Sequence, residues 1–584
     1  MGAVNLLVER QSERSFDSRT HPFPSSSTGS PSTRLLSQPA DDDDVASRVL
    51  HFDPLQRPHP PSAVLDKLVN VYQERVHCQP IQLFDIESLR SEVGSFSTVL
   101  LRSFLALTSK YSDDDFFKDS KAAAVEFYMQ SSRDLLFARI GEPTASGSVE
   151  LLQAFCLLNL CDIADSKKIR AWLTTGIAVR LAISTNVLTC GSGRTPSKKP
   201  EALQRCCWSL FVLDKIYNSS FQTLPAIPEE AVLPEKPPSP LTPHTVSEES
   251  SEVRRLQQNA GQVDDGVTSY SLQLLSTWGH LMVYLKNIRQ GQLEDAWEPN
   301  STYHQIKSLV FRFETVLPED HRFRNARFLE KTESERARER SYWAAWISMQ
   351  MVYHVIQCIL HHPFLHLAEI HRKQKLRSPS FLQHATDQAI LHSAWVIRIL
   401  DLCMDHNFPV YDPFVGHLAA MTASVLFFLR FSRDGSLATK AAKDFEVCRR
   451  FVDNMAGENP HLQHTRSKLT KLAQSTTQLV QPPKVETSLL WDLLDYAASS
   501  TPSENTDSSS AVELNVNTQF LSSPQGNTPR PVEVSASQEQ TGMEVSMTDL
   551  WDDPSLSFDL LDFSTLPDVS TLTMPREFWT NGHL

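Results

Sequence analysis

The sequence predicts an all-α protein, with a large multi-helix regulatory domain between disordered N-terminal and C-terminal segments. Three observations lead to this prediction. Apolar residues recur at spacings of three and four through the middle of the chain, which is the helical period. No segment alternates apolar and polar residues between Asn-Gly or Asp-Gly turns, as hairpin strands do. The 584 residues include 41% hydrophobic and 21% charged side chains, which is sufficient for a sizeable core.

The first 61 residues are predicted to be disordered. They contain a Ser/Pro-rich stretch, His21–Pro31, and an acidic run, Asp41–Asp44, with few clustered apolar residues to offset the entropy of ordering. Acidic residues outnumber basic ones in this segment. It is therefore not a basic arm of the kind that binds DNA.

Residues 62–480 are predicted to form the helical domain. Leu65, Leu68, Tyr72 and Val76 follow the helical period behind Ser62, which is a suitable N-cap. The same period continues in nine further segments: Ser97–Tyr111, Lys121–Arg139, Ser148–Ile163, Ile169–Thr185, Glu201–Ser219, Val267–Gln290, Glu335–His361, Phe381–His406 and Gly416–Phe431.

Two segments break the helical pattern. Residues 224–257 hold seven prolines followed by a Ser/Glu-rich stretch, and because proline cannot occupy a helix interior, a mobile surface loop is predicted there. Residues 481–584 are rich in Ser, Thr, Pro and Asn and poor in Lys and Arg. This composition predicts a disordered acidic tail.

Charge and hydropathy restrict the partners that the chain can have. The formal net charge is −14, which repels nucleic acid where no basic patch offsets it. The apolar stretch Val415–Leu429 is shorter than a membrane span and no export or lipid-anchor signal is apparent, so no membrane partner is expected. The nine cysteines are spread singly or as the pair Cys206–Cys207, which is typical of reduced intracellular thiols.

Ser148–Ala182 and Glu201–Lys215 carry a spaced set of residues that resembles the middle homology domain of fungal-specific transcription factors, the binuclear zinc-cluster regulators. Six positions anchor this resemblance: Trp172, Gly176, Arg180, Glu201, Trp208 and Asp214. Flanking similarity at Tyr72–Phe84 and His362–Leu365 extends it over roughly Ala63–Phe431. Cys206 and Cys207 depart from the family pattern, in which Arg and Trp are common. The resemblance implies a helical regulatory domain.

The resemblance also implies an N-terminal zinc cluster, and this sequence does not contain its ligands. Such a cluster needs six cysteines that begin with Cys-x-x-Cys. No Cys-x-x-Cys occurs, and the first cysteine, Cys78, lies in the first helical segment. No cofactor is therefore expected for this polypeptide, and direct DNA binding is doubtful. Either an upstream exon is missing from the sequence or the regulator acts without its own DNA-binding module.

The leading functional hypothesis is a nuclear transcriptional regulator, a pathway-specific activator that could control a secondary-metabolite gene cluster, which rests on the resemblance alone. One alternative is a cofactor that does not bind DNA and pairs with a complete family member or with itself. A second is a helical metal-dependent cyclase, suggested by Asp113–Asp115. No nucleophile elbow, phosphate loop or zinc-protease motif occurs, so no enzymatic activity is predicted.

Other candidate sites have simpler interpretations. His354, Cys358, His361 and His362 share one helical face and could hold a metal, but a buried helix end before Pro363 is favoured. Basic runs at Arg194–Lys199 and His371–Arg377 could serve nuclear import.

The helical periodicity also yields a structural prediction. Arg180 and Asp214 both fall on apolar helix faces, so Arg180 is expected to pair with Asp214 or Glu201, because an unpaired buried charge is costly. Gly176, in mid-helix, is expected to permit a close helix approach.

The tail carries a candidate activation segment that would bind transcriptional coactivators. Thr541–Ser570 has seven acidic residues, no Lys or Arg, and interspersed apolar side chains that include Trp551, Phe558, Leu561 and Phe563. Acidic repulsion keeps such side chains solvated and free for a partner. Leu490–Asp495, with Trp491, is a shorter version of the same pattern. For both clusters the alternative is docking on the chain's own helical domain.

Overall fold

The computed structural model describes residues 51–496, apart from 141–148, 191–198, 219, 222, 224, 229–230, 244–263, 293, 297, 367–378, 433, 458 and 476–483, together with 513–515. The described part of the chain is almost entirely helical, so the predicted all-α class is confirmed. Residues 1–50 and the candidate activation segment Thr541–Ser570 lie outside the described residues.

Seven helices form the N-terminal half of the domain. They are α1 Ser62–Arg75, α2 Ile86–Glu92, α3 Thr98–Tyr111, α4 Lys121–Arg139, α5 Val149–Ala164, α6 Lys168–Ser184 and α7 Glu201–Leu213. Helix α3 packs on α4 and α5, and α5 packs on α6 and α7. Every residue of α5 from Leu151 to Ala164 is buried, which places this helix at the centre of the half.

Ten helices form the C-terminal half of the described domain. They are α8 Val267–Arg289, α9 Thr302–Val316, α10 Phe323–Ala326, α11 Glu333–Arg338, α12 Arg340–Leu360, α13 Pro379–Asp405, α14 Pro413–Leu429, α15 Gly435–Ala456, α16 Pro460–Gln474 and α17 Thr487–Leu494. Helix α14 is buried along its whole length from Phe414 and lies against α12, α15 and α16. Among the described residues, no helix combines the length and hydrophobicity that crossing a bilayer requires.

Helix α12 is also buried over most of its length. It packs on α8, α13 and α14, and only three of its 21 residues are not buried. Trp343 and Trp346 are completely inaccessible, and the Trp346 indole N–H donates to the carbonyl of His321 at 2.8 Å. A buried indole N–H needs such a partner, so this bond fixes α12 against the chain that precedes it.

Side-chain caps mark the start of two helices that the sequence periodicity did not identify. Asp434 accepts hydrogen bonds from the amides of Ser436 and Leu437 at the start of α15, and Asn459 accepts one from Leu462 at the start of α16. Pro460 occupies the first helical position of α16, where its missing N–H costs nothing. Both helices lie within the predicted domain.

Strand structure is minimal in the described residues. Thr189–Cys190 (β1) pairs antiparallel with Ala231–Val232 (β2), and Lys484–Glu486 (β3) pairs antiparallel with Glu513–Asn515 (β4). Of the first pair, only β2 lies in the region 224–257 predicted to be a mobile loop. Over residues 231–243 the chain is instead fixed to the domain: Pro234 and Pro237 are buried, and the carbonyl of Pro238 accepts a hydrogen bond from Gln82 Nε2 at 2.8 Å. Residues 244–257 lie outside the described part.

The N-terminal boundary of the domain falls before residue 62. Phe52 is buried and its ring contacts Phe116, Phe117, Phe127 and Tyr128. The Phe52 amide donates to the carbonyl of Phe116 at 2.9 Å, and the Tyr128 hydroxyl donates to the carbonyl of Pro58 at 2.8 Å. Residues 51–61 therefore belong to the folded domain, because one aromatic side chain enters an existing aromatic cluster.

The C-terminal boundary falls after residue 480. Helix α17 packs on α14 and α16, and Leu490, Trp491, Leu493, Leu494 and Tyr496 are buried. The expectation that Trp491 is a solvated activation residue is not met by this arrangement. Its ring lies between Phe221 and Phe364, with centroid distances of 5.6 and 5.0 Å. Burial of Trp491 in this apolar groove is favourable enough to dock the segment, although its acidic composition predicted a free tail.

Candidate functional site

A mainly apolar cavity of about 40 Å³ lies where α7, α8 and α12 meet. Each helix lines it with residues spaced i, i+3, i+4 and i+7, which is the spacing of one helix face. These residues are Arg205, Trp208, Ser209 and Val212 on α7, Thr268, Ser271, Leu272 and Leu275 on α8, and Ala345, Ser348, Met349 and Val352 on α12. Apolar walls with a few polar groups are typical of small-molecule sites, but the closed space is smaller than such sites usually are.

Small hydroxyl side chains explain why there is space. Ser209, Ser271 and Ser348 each interrupt an otherwise apolar stripe on one of the three helices. A turn of π-helix, Asp214–Asn218, continues α7 and carries Ile216 into the lining. Such turns recur at functional sites because they redirect side chains from the regular helical positions.

Four lining residues carry a buried polar atom that has no hydrogen-bond partner among the described residues. These atoms are Gln82 Oε1, Arg205 Nη1, Ser209 Oγ and Thr268 Oγ1. Buried polar groups are ordinarily satisfied, so such a concentration around one cavity is unusual. The Arg205 guanidinium and the two hydroxyls could donate hydrogen bonds to a carbonyl or carboxylate of a bound molecule.

Arg205 is held in place from two sides. Its Nε and Nη2 donate to Glu201 Oε1 at 2.8 and 2.6 Å, and Nη2 lies 3.8 Å from Asp85 Oδ1. Glu201 is one turn earlier on α7, and Asp85 caps α2 through the amide of Ser88. The guanidinium is thus oriented by two carboxylates, which leaves Nη1 as the free donor at the cavity.

The cavity lacks an activated nucleophile in the described lining. Burial raises the pKa of the Cys78 thiol to about 12, and Arg205 offsets this only in part. Burial, together with Arg205, lowers the pKa of the neighbouring His77 to about 3. A neutral thiol beside a neutral imidazole favours binding over covalent chemistry.

Trp208 closes the cavity on the side of the proline-rich segment. Its indole N–H is shared between the carbonyls of Pro234 and Glu235, each at 3.2 Å. Pro237 also lines the cavity. The segment that the sequence suggested as a mobile loop therefore forms one wall.

The six motif residues of the resemblance separate into two groups in space. Trp208 lines the cavity, and Glu201 holds Arg205. Asp214 is completely buried and accepts hydrogen bonds from the amides of Ala226 and Ile227 at 2.7 and 3.1 Å, which fastens the chain after the π-turn. Trp172, Gly176 and Arg180 lie on α6 and do not line the cavity.

The predicted pairing of Arg180 is wrong. Arg180 is exposed and donates only a local hydrogen bond, to the carbonyl of Gly176 at 3.3 Å. Asp214 uses backbone amides, and Glu201 uses Arg205. A Cβ on Gly176 would meet Arg180 Nη1 at 3.3 Å and no neighbouring helix, so the expected close helix approach is also wrong.

The two metal hypotheses do not match the geometry. Asp113, Asp114 and Asp115 lie in the turn after α3, where they face Lys121, Lys67 and Lys118 at 3.4, 2.7 and 3.6 Å. A diphosphate-binding motif instead needs carboxylates one helical turn apart. The three lysines form ion pairs with these carboxylates.

On α12, the histidine face is buried and each ring has its own partner. His354 lies 2.9 Å from His392, His361 contacts the carbonyl of Gln357, and His362 contacts Ser424. The described residues contain no group of three or more His, Cys, Asp or Glu side chains placed to hold a metal. The described cysteine side chains are free and buried, and no three of them are placed to share a metal ion, as a binuclear zinc cluster would require.

Sequence reasoning identified Trp208 and Glu201 but missed the cavity. The available signal was the serine on each of three apolar stripes, which single-helix patterns cannot connect. The basic run at Arg194–Lys199 lies outside the described residues except for Lys199, and the run at His371–Arg377 lies entirely outside them.

Comparison with known proteins identifies a domain that includes two of the three helices around the cavity. Residues 70–309 match the family model of the fungal specific transcription factor domain, which confirms the resemblance. The matched range includes α7 and α8 and ends before α12.

Three Schizosaccharomyces pombe proteins, each described as an uncharacterized transcriptional regulatory protein, are similar to the chain. One is 20% identical over 463 residues, which are 71% of this chain and 53% of the relative. A second is 24% identical over 309 residues, 47% of this chain and 30% of the relative, and a third is 24% identical over 176 residues, 28% and 24%. The chain thus spans about half or less of these relatives. No solved structure matches it.

Proposed function

We propose that this chain, which carries a fungal specific transcription factor domain, is a transcriptional regulator. The match of residues 70–309 is the observation that carries the proposal, and the printed descriptions of three relatives support it. These descriptions point to regulation and not to catalysis. The whole relatives are longer than the aligned region, so their activity is carried to this chain only as a proposal.

The finer form of the proposal is a nuclear, pathway-specific activator, with a secondary-metabolite gene cluster as the class of target. Support for activation comes from the composition of Thr541–Ser570, which combines seven acidic residues with Trp551, Phe558, Leu561 and Phe563. Acidic segments with spaced aromatic and leucine side chains can fold on a hydrophobic groove of a coactivator.

DNA recognition is proposed to come from a partner. The sequence contains no Cys-x-x-Cys, and the described cysteines are buried. A complete family member, or a homodimer that contacts one, would supply the DNA-binding module. The polypeptide alone is expected to show no zinc-dependent, sequence-specific DNA binding, and electrophoretic mobility shifts with and without a chelator check this.

A reporter assay tests activation. The full chain is fused to an unrelated DNA-binding domain, and reporter output is compared with a chain in which Trp551, Phe558 and Phe563 are replaced by Ala. We expect output from the fusion and its loss in the triple variant. Trp172→Ala is the matched control, because Trp172 is 38% exposed on α6 and is not part of the tail sequence. Output that persists in the triple variant would contradict the role of the tail.

The lining of the cavity supports regulation by a small molecule, for which the closed space of about 40 Å³ would have to open. Its apolar walls, with Arg205 Nη1 as a free donor, suit an apolar effector that carries a carbonyl or carboxylate. Anilinonaphthalene sulfonate, an apolar anion, is a suitable probe. We expect its fluorescence to rise with the full chain and to fall in Ser348→Phe, which fills the cavity. Ser436→Phe, at an exposed position on α15, is the control. Equal signals from both variants would contradict this part of the proposal.

A further inference from the structure

A groove holds the six-residue segment Trp491–Tyr496, which begins within helix α17 and ends two residues after it. The groove is formed by Lys168, Phe221, Phe364, His417, His461 and Lys468. The sequence of this segment is aromatic-Asp-Leu-Leu-Asp-aromatic. The same pattern recurs at Phe558–Phe563, with four of the six residues identical. We propose that the groove is a recognition site for this hexapeptide pattern and that Phe558–Phe563 is a second ligand, which competes with Trp491–Tyr496 for it.

The groove recognises both aromatic ends of the docked segment. Trp491 lies between Phe221 and Phe364. At the other end, the Tyr496 ring lies 4.1 Å from the ring of His461 and 5.0 Å from that of His417. A second aromatic residue at each of these positions retains the ring contacts, and the smaller Phe in place of Trp491 makes Phe558 the weaker ligand of the two.

The leucine pair supplies the apolar anchor. Leu493 and Leu494 have no accessible surface in the docked segment. Leu560 and Leu561 occupy the same positions in the second copy. Two adjacent leucines at matching distances from both aromatic residues preserve the register of the whole pattern.

Two lysines of the groove lie near the acidic positions: burial lowers the pKa of Lys168 and of Lys468, and Asp492 and Asp495 partly offset this. Lys168 Nζ donates to the carbonyl of Tyr496 at 2.9 Å, and Lys468 Nζ donates to the carbonyl of Asp492 at 3.1 Å. Asp495 is buried, and its Oδ2 accepts the amide of Phe221 at 3.2 Å. Asp559 and Asp562 present the same two charges at the same spacing, so the two lysines would face them equally well.

The surroundings of Tyr496 favour the phenylalanine that the second copy has at this position. The Tyr496 hydroxyl is buried and has no hydrogen-bond partner among the described residues. The second copy has Phe563 at this position, which fills the same ring site without an unsatisfied polar atom. The groove thus requires an aromatic ring there and not a tyrosine.

The length of the intervening chain permits the exchange. About 60 residues separate the two hexapeptides. An extended chain covers about 3.3 Å per residue, so this length greatly exceeds what a return to the same groove requires. Both ligands are in one polypeptide, so their competition is intramolecular and depends on effective concentration.

Hydrogen–deuterium exchange of the full chain tests the proposal. In Trp491→Ala the groove loses its better ligand, and we expect the amides of Phe558–Phe563 to exchange at least tenfold more slowly than in the wild type. Adding Phe563→Ala to that variant should abolish the gain. Trp551→Ala, which alters a tail aromatic outside the pattern, is the matched control and should leave both hexapeptides unchanged. Amides of α14 report that the domain remains folded.

A peptide gives an independent measurement on the wild-type chain, which decides the matter if Trp491→Ala does not fold. A synthetic Ser555–Leu566 peptide in excess should accelerate exchange in Thr487–Leu494 several-fold, and the same peptide with Asp559→Lys and Asp562→Lys should not. Unchanged exchange in both experiments would overturn the proposal. Protection of Phe558–Phe563 that grows with protein concentration would overturn the intramolecular assignment in favour of pairing between copies.

The binding measurement is separate from the proposed transcriptional role. A silent reporter would contradict the activator proposal and leave the exchange results standing. Where the tail does activate, occupancy of the groove by Phe558–Phe563 withdraws two of its aromatic side chains from a coactivator, and this consequence alone rests on the proposed function.

Discussion

The two edges of the helical domain are both closed by short segments, but by different physical means. At the N-terminal edge, Phe52 enters a cluster of four aromatic rings, and the nearby hydrogen bonds join neutral groups. At the C-terminal edge, Trp491–Tyr496 places a buried carboxylate, two lysines and two histidines at one contact. The first edge is stabilised by apolar burial and neutral hydrogen bonds, whereas the second depends on charge and is therefore suited to exchange.

The largest effects are expected from deleting the central ring of each edge. Phe52→Ala and Trp491→Ala each remove a buried aromatic side chain, which costs about 3–5 kcal/mol. We expect Phe52→Ala to lower the Tm of the domain by several degrees, because its neighbours belong to the core of α4. Trp491→Ala should act mainly on amide exchange within Thr487–Leu494. A Trp491→Ala chain that loses the whole domain in one transition would show that the two edges are alike.

Removing the buried charge should separate the edges further. Asp495→Asn keeps an oxygen for the Phe221 amide but loses the charge, and a charge-assisted hydrogen bond is worth about 1.5–3 kcal/mol. We expect a loss of about 1–2 kcal/mol in the free energy of docking, measured by exchange in α17. Asp53→Asn is the matched change at the other edge, where Asp53 accepts exposed amides of Leu55 and Gln56. Its effect should stay within about 0.5 kcal/mol.

Acidification should loosen the C-terminal edge. Burial, with Lys168 and Lys468 close by, holds the pKa of His417 and of His461 well below the usual 6.5. The open groove therefore binds more protons than the docked one below pH 6.5, so docking is fully stable above that pH and weakens as pH falls. Asp412, with its pKa raised to about 6 by burial, acts in the opposite direction between pH 6 and 3.8.

The useful comparison is therefore between pH 7.5 and 6. Exchange in Thr487–Leu494, corrected for the intrinsic rate at each pH, should rise several-fold at the lower pH. The Phe52 amide is the internal reference. His417→Gln and His461→Gln should each flatten the response. A response that is unchanged in both variants would show that other groups control it.

The smallest effects are expected from removing one hydroxyl at each edge. Tyr128→Phe deletes the hydrogen bond to the carbonyl of Pro58 and should cost about 0.5–1.5 kcal/mol in thermal or denaturant unfolding. Tyr496→Phe deletes a hydroxyl that has no partner among the described residues, so it should be neutral or slightly stabilising. A clear loss in Tyr496→Phe would reveal an interaction of that hydroxyl outside the described residues.

Helical periodicity predicted the fold class and most of the long helices, because a helix face is a local property of ten to twenty residues. Helical periodicity did not predict where the two edges of the domain lie. Phe52 lies in a stretch with few apolar neighbours, and Trp491 lies among acidic residues, so both looked like parts of solvated flanks. Their burial is determined by distant partners, such as Phe116 for the first and Phe364 for the second.

The charged residues of the motif were predicted less well than the apolar ones. Arg180 falls on an apolar stripe by spacing, yet its long side chain reaches the surface and bonds to the carbonyl of Gly176. Asp214 is buried as expected, but it is satisfied by amides of a turn that spacing cannot locate. The cavity was missed for a similar reason, since it exists only where α7, α8 and α12 converge.

The position of α12 in the chain has a consequence for biosynthesis. Helix α7, which carries one wall of the cavity, ends at Leu213, and α12, which carries the opposite wall, begins only at Arg340. At about 5–20 residues per second, a ribosome needs roughly 6–25 s to make the intervening chain. During that interval Val212 and Ile216 lack the helix that covers them in the finished protein. The nascent N-terminal half thus presents an apolar face that a chaperone must shield until its last wall is synthesised.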